Sequence, residues 1–221
     1  MIKKQNYLKH AIVLFLLLLL MQPERAWAAY ENVEFSSLTN HDGLTNSQVG
    51  AILKDTRGYI WFGTQSGLCR FDGFRMKTFY YINTDDKSLP NNSVDELQQD
   101  YGGNIWVHTS VGYCIYKYDE EQFERKPEEW LKNIHVQGPP YKLLIDKDKN
   151  MWIAVYGQGL YYHNAKTKNT YLFKFTKKAQ PGCLKEGNIS KITEVDGDAL
   201  ITYNDGTICR VNGQKQKVLW Y

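Results

Sequence analysis

Residues 55–73 read DTRGYIWFGTQSGLCRFDG. The stretch is dense in glycine, holds one tryptophan, and brings acidic, basic, hydroxyl and thiol side chains close together. It has the contents of a catalytic loop, a phosphate cradle or a structural unit. Recurrence decides between these, because packing residues repeat routinely from unit to unit and catalytic residues rarely do. LTNSQVGAILKDTRGYIWFGTQSGLCRF (Leu44–Phe71) aligns without a gap on LPNNSVDELQQDYGGNIWVHTSVGYCIY (Leu89–Tyr116), 45 positions later. Asp55, Gly58, Ile60, Trp61, Gly67 and Cys69 recur as Asp100, Gly103, Ile105, Trp106, Gly112 and Cys114. A third copy, Tyr141–Asn164, keeps Asp146, Trp152 and Gly159, with one extra residue before the glycine. A fourth, Lys191–Val211, has lost the tryptophan and keeps a strand–turn–strand rhythm.

A period of about 45 residues is the size of one four-stranded propeller blade. Within the first copy, Val49–Lys54, Tyr59–Thr64, Leu68–Phe71 and Met76–Ile82 are rich in β-branched and aromatic residues. They are separated by Asp/Gly turns, which predicts four short antiparallel strands. Helical periodicity is nearly absent; Glu120–Lys132 offers a turn or two, limited by Pro127. The expected fold is all-β, built of β-propeller blades of four antiparallel strands, about four repeats in an incomplete propeller. The repeats run over about 44–88, 89–135, 136–183 and 184–221, with 33–38 as an N-terminal closing strand.

The quoted stretch fails as a phosphate cradle, since it lacks phosphate-loop spacing and no helix follows its glycines. Cys69 has no candidate base nearby in sequence, and its recurrence at Cys114 marks a strand position that accepts a small apolar group. Equivalent positions in adjacent blades lie too far apart for a Cys69–Cys114 disulfide. Neither Cys69, Cys114, Cys183 and Cys209 nor the histidines have metal-ligand spacing, so neither a metal nor another cofactor is expected. Trp61, Trp106 and Trp152 are expected to fill the wedge between neighbouring blades, with sugar stacking as the alternative. Asp55, Asp100 and Asp146 are expected to accept backbone N–H groups in turns. Gly67, Gly112 and Gly159 serve the next turn.

At the N-terminus, Lys3, Lys4 and Lys9 precede an apolar run, Ala11–Met21, and then Pro23 and Ala26-Trp27-Ala28. This is a secretory signal pattern over 1–28 with cleavage after Ala28. The run is too short for a bilayer core, which needs about 20 residues; an uncleaved anchor is the alternative. No membrane span is then expected after cleavage. The whole chain carries 27 basic and 24 acidic residues. Removing 1–28 takes away four basic residues and one acidic, leaving the remainder neutral with no basic footprint for nucleic acid.

Gly43–Gly73 as a whole resembles the repeat of the two-component-regulator propeller family, the periplasmic sensor regions of hybrid histidine kinases. It shows the Asn-Ser start at Asn46-Ser47, the Asp-x-x-Gly turn at Asp55–Gly58, Trp-x-Gly-Thr at Trp61–Thr64, and the Gly-Leu-x-Arg-Phe-Asp return at Gly67–Asp72. The second and third copies depart from it, with His108-Thr109 and Ala154-Val155 where Gly63-Thr64 stands in the first. The resemblance implies a non-enzymatic, periplasmic ligand-sensing module, for an oligosaccharide, without a kinase of its own. Its partners would be a second copy, or downstream propeller blades and a kinase. The chain reads as a piece of such a sensor, a truncated product or a small self-contained propeller. An exported lyase or hydrolase acting on glycans and a protein-interaction scaffold are the other functional readings. Ligand contacts should come from residues that differ between repeats: Tyr156, Tyr161, Tyr162 and His163 foremost, then Tyr80, Tyr81, Tyr113 and Tyr118.

Overall fold

A computed structural model describes residues 35–177 and 183–220. The signal segment 1–28 lies outside them, as do Val33 and Glu34 of the expected closing strand. Residues 35–38 of that segment form no strand. Four sheets follow in sequence. The first blade is β1 (Val49–Lys54), β2 (Ile60–Thr64), β3 (Gly67–Phe71) and β4 (Met76–Phe79). The second is β5 (Val94–Gln99), β6 (Ile105–Thr109), β7 (Gly112–Lys117) and β8 (Gln122–Glu124). The third is β9 (Pro140–Ile145), β10 (Met151–Val155), β11 (Gly159–His163) and β12 (Thr170–Thr176), with β13 (Leu184–Lys185) added in parallel at its outer edge. The fourth is β14 (Ile189–Val195), β15 (Asp198–Tyr203), β16 (Ile208–Asn212) and β17 (Lys217–Trp220). Each blade is an antiparallel meander in sequence order. The fold is therefore a run of propeller blades.

Two local readings are corrected. The fourth strand of blade one stops at Phe79 rather than Ile82, because the Tyr81 and Ile82 amides are taken by Asn92 Oδ1 (2.7 Å) and Ser88 Oγ (2.9 Å). Within 120–132, Gln122–Glu124 is strand, and Pro127 opens the helix α1 (Pro127–Leu131) instead of limiting it. Proline suits the first helical turn, where its missing N–H has no partner to lose.

The repeated aspartates organise the turns between first and second strands. Asp55 Oδ1 accepts the Arg57 and Tyr59 amides (2.9 and 3.0 Å), and its Oδ2 accepts the Trp61 indole N–H at 2.7 Å. Asp100 repeats this with Gly102, Asn104 and the Trp106 indole (2.8, 3.0 and 3.0 Å). Asp146 accepts the Asp148 and Asn150 amides (3.0 and 2.9 Å), and the Asn150 side chain takes its other oxygen at 3.0 Å. These carboxylates are buried, so this full complement of donors is what makes their burial tolerable. The fourth blade replaces the aspartate turn with Asp196-Gly197, both at positive φ (52° and 80°), a tight two-residue hairpin.

Trp61, Trp106 and Trp152 are fully buried and each joins its own blade to the next. Trp61 meets Tyr116 and Tyr118 of blade two edge-on (5.1 and 6.0 Å) while lying parallel to Phe79. Tyr118 also donates to Asp55, closing a buried Asp–Trp–Tyr group across the interface. Trp106 shares a cluster with Leu143 and Ile153 of blade three, and Trp152 one with Ile192 and Ile201 of blade four. The innermost strands β1, β5, β9 and β14 pack in succession around a shared cavity of 350 Å³. No comparable packing returns from β14 to β1 among the described residues.

Candidate functional site

In a meander blade the turns after the second strand lie at one end, together with the long connection to the next blade. The other two turns lie at the opposite end. At the first of these ends, between blades two and three, the 125–140 connection and the β6–β7 and β10–β11 turns enclose a cleft of 380 Å³. Its aromatic wall is Tyr141 and Tyr156, whose rings stack at 3.9 Å with 18° between planes. Tyr141 is held in place by the Ile189 amide, which donates to its hydroxyl at 3.3 Å, and burial raises its pKa. Tyr156 sits in the β10–β11 turn and is 64 % exposed. It presents a free ring face backed by a fixed one.

The polar rim is His108, Arg125 and Glu128. His108 Nδ1 lies 2.6 Å from Asp95 Oδ1, and its ring rests against Tyr113 at 4.5 Å. The Tyr113 hydroxyl donates to Glu96 at 2.8 Å and accepts the Leu143 amide at 3.1 Å; Lys142 reaches the other Glu96 oxygen at 3.2 Å. Burial, and then the Glu96 charge, pushes the Tyr113 pKa far above that of a free phenol, so it stays neutral and structural. Arg125 ties the 82–89 loop by donating to the carbonyls of Ser88 (2.9 Å) and Asp85 (2.8 Å). The cleft therefore has a rigid wall, mixed polarity and one exposed aromatic, which suits a polyhydroxylated ligand with apolar ring faces.

Of the four foremost ligand candidates, Tyr156 alone belongs to this cleft. Tyr161, Tyr162 and His163 were expected in a variable connection and instead form the end of β11, all buried. Tyr161 joins the core between blades two and three, and Tyr162 the core between three and four. His163 Nδ1 pairs with Thr170 Oγ1 at 2.9 Å, its Nε2 has no partner among the described residues, and burial lowers its pKa. The misplacement has a simple cause: a polar residue buried in a core strand looks, in sequence, like one displayed in a loop. Sequence reasoning also missed Tyr141 and the Asp95–His108 pair. The substitution of His108 for the first-copy Gly63 was the available signal. Cys69, Cys114 and Cys209 are buried thiols without disulfides.

Residues 43–66 match the family model described as two component regulator propeller. The chain carries a two-component-regulator propeller repeat. Over 61 residues it is 41 % identical to Histidine kinase P4 of Formosa agariphila, a match covering 28 % of this chain and 4 % of that protein. An extracellular domain described as that of a hybrid two component system from B. thetaiotaomicron superposes with a TM-score of 0.58 at 23 % identity. It covers 84 % of this chain and 26 % of its own. A second extracellular domain from that organism, described as that of a one component system, gives 0.51 at 16 % identity, covering 80 % and 26 %. These likenesses establish the propeller-blade fold, and the chain spans about a quarter of those domains. No helix among the described residues is long and apolar enough to cross a membrane.

Proposed function

We propose that this two-component-regulator propeller chain is a non-enzymatic, ligand-sensing input module, exported to the periplasm, that takes an oligosaccharide in the Tyr141–Tyr156 cleft. The observation that carries this reading is the exposed Tyr156 ring stacked on a pinned Tyr141 at the mouth of a 380 Å³ cleft. Sugar rings present flat C–H faces that settle on aromatic rings, while His108 and Glu128 on the rim suit their hydroxyls. The likeness to the extracellular domains of a hybrid two component system and of a one component system supports a sensing role. Output would pass to a kinase module, with further blades or a second copy of the chain as partners.

Calorimetric titration with a panel of oligosaccharides tests the proposal. One member should bind, and Tyr156→Ala should weaken it at least tenfold while the melting temperature stays within a few degrees. Unchanged affinity in that variant would remove the cleft from the reading. The same panel assayed for cleavage products tests the enzyme alternative: turnover lost in His108→Ala would replace sensing by catalysis.

A further inference from the structure

We infer that the cavity between the third and fourth blades, at the end of the strands opposite the Tyr156 cleft, is a second binding site, for a neutral saccharide. It lies between the β11–β12 turn (164–169) and the β16–β17 turn (213–216) and has a volume of 420 Å³, within the range of small-ligand sites. The Tyr162 ring, itself buried in the core, lines its floor and is laid against Gly213. A Cβ at position 213 would stand 2.5 Å from that ring, so only glycine lets the two surfaces meet. Tyr171 is the direct partner of Tyr162 across the β11–β12 pair and extends the aromatic wall outward.

The two turns are fixed by their own side chains. Asn164 Oδ1 accepts the Lys166 and Thr167 amides (3.0 and 2.8 Å), and Asn212 Oδ1 accepts the Lys215 amide at 2.6 Å. The remaining polar groups are not used internally: the side chains of Asn169, Gln214, Gln216 and Lys166 and the Tyr171 hydroxyl bond to no other described residue. Their chemistry selects a ligand class. A carboxamide both donates and accepts, as a sugar hydroxyl does, so amides pair with hydroxyls in either sense. Among the described residues no carboxylate and no guanidinium lines the cavity, and Lys166 is its one charged group. A polyanion would find a single cation, whereas a neutral ring would find an aromatic wall and a rim of unspent amides.

The test is a ¹⁵N–¹H titration of the full chain with neutral tetrasaccharides (β-1,4-glucan, β-1,4-xylan and α-1,4-glucan) and, as the charged arm, tetragalacturonate. A neutral probe should shift the side-chain amide signals of Asn169, Gln214 and Gln216. The shifts should persist in Tyr156→Ala, and the affinity read from the remaining Gln216 signal should weaken at least tenfold in the double variant Asn169→Ala/Gln214→Ala, whose changes lie in exposed turns. Any of three results overturns the inference: no shift of these amides up to 20 mM probe, shifts that disappear in Tyr156→Ala, or shifts with tetragalacturonate alone. Loss of the Tyr156 cleft's binding leaves this readout unaffected, so the two sites fail independently.

Discussion

Replacing Gly159 with alanine should cost the protein far more than the same change at Gly112, although the two glycines occupy the same place in their repeats. Both open the third strand of a blade with φ in the region that side chains avoid, +148° and +116°. Holding alanine there costs about 2 kcal/mol. At Gly112 nothing lies within 4 Å of the new Cβ, so conformational strain is the whole penalty. At Gly159 the Cβ would stand 2.1 Å from the Phe173 carbonyl oxygen on the paired strand β12, so backbone must move. Overpacking adds about 1–3 kcal/mol. Gly67, with the Phe79 oxygen at 2.8 Å, falls between. At about 3 °C per kcal/mol for a domain of this size, Gly112→Ala should lower the melting temperature by about 6 °C and Gly159→Ala by about 12 °C. Urea titrations followed by tryptophan fluorescence should give the same order, with Trp152 reporting from the affected hairpin. A Gly112→Ala variant as unstable as Gly159→Ala would refute the steric account.

Three further outcomes follow from the same geometry. Tyr113→Phe strips Glu96 of a donor and the buried Leu143 amide of its acceptor, and should destabilise by about 1–3 kcal/mol in denaturant titration. Trp61→Phe keeps an aromatic ring but leaves Asp55 Oδ2 without its indole donor, and should cost about 2 kcal/mol by the same measurement; a neutral result would show that the buried carboxylate finds another donor. His163 has its pKa lowered below the ordinary 6.5 by burial, with the nearby Lys168 and His135 charges adding to the effect. The unfolded chain then binds the extra proton more readily, so the contribution of His163 is complete above pH 6.5 and is lost as pH falls below it. Melting temperatures between pH 7.5 and 5 should fall less steeply in His163→Gln than in the parent chain.

The aspartate–tryptophan pairs show how much was legible. Asp55 and Gly58 act within one turn, so their spacing specifies the backbone bonds the aspartate accepts, whereas the indole bond of Trp61 and Trp106 has no counterpart at Trp152 among the described residues. Repetition at 100–106 and 146–152 then announces a blade. Blade count and the four-strand meander follow from that periodicity, because a unit of this length has few ways to cover its apolar faces. The fourth blade was legible as a strand–turn–strand rhythm, but not its exchange of the aspartate turn for Asp196-Gly197.

The ligand candidates show the limit. Tyr156, Tyr161, Tyr162 and His163 stand within eight positions of one another, and composition treats them alike. Alternation along β11 and the arrival of blades two and four on its two faces bury the last three, while the turn leaves Tyr156 in solvent. The cleft draws on 108–113, 125–128, 139–141 and 156, segments joined only by the packing of one blade on another. Local turn chemistry and the repeat were thus determined by the sequence alone, since their causes lie within a few residues. Which tyrosine faces a ligand, and which glycine can bear a methyl group, depends on atoms that approach only when separate strands and blades pack. That was decided by the tertiary structure.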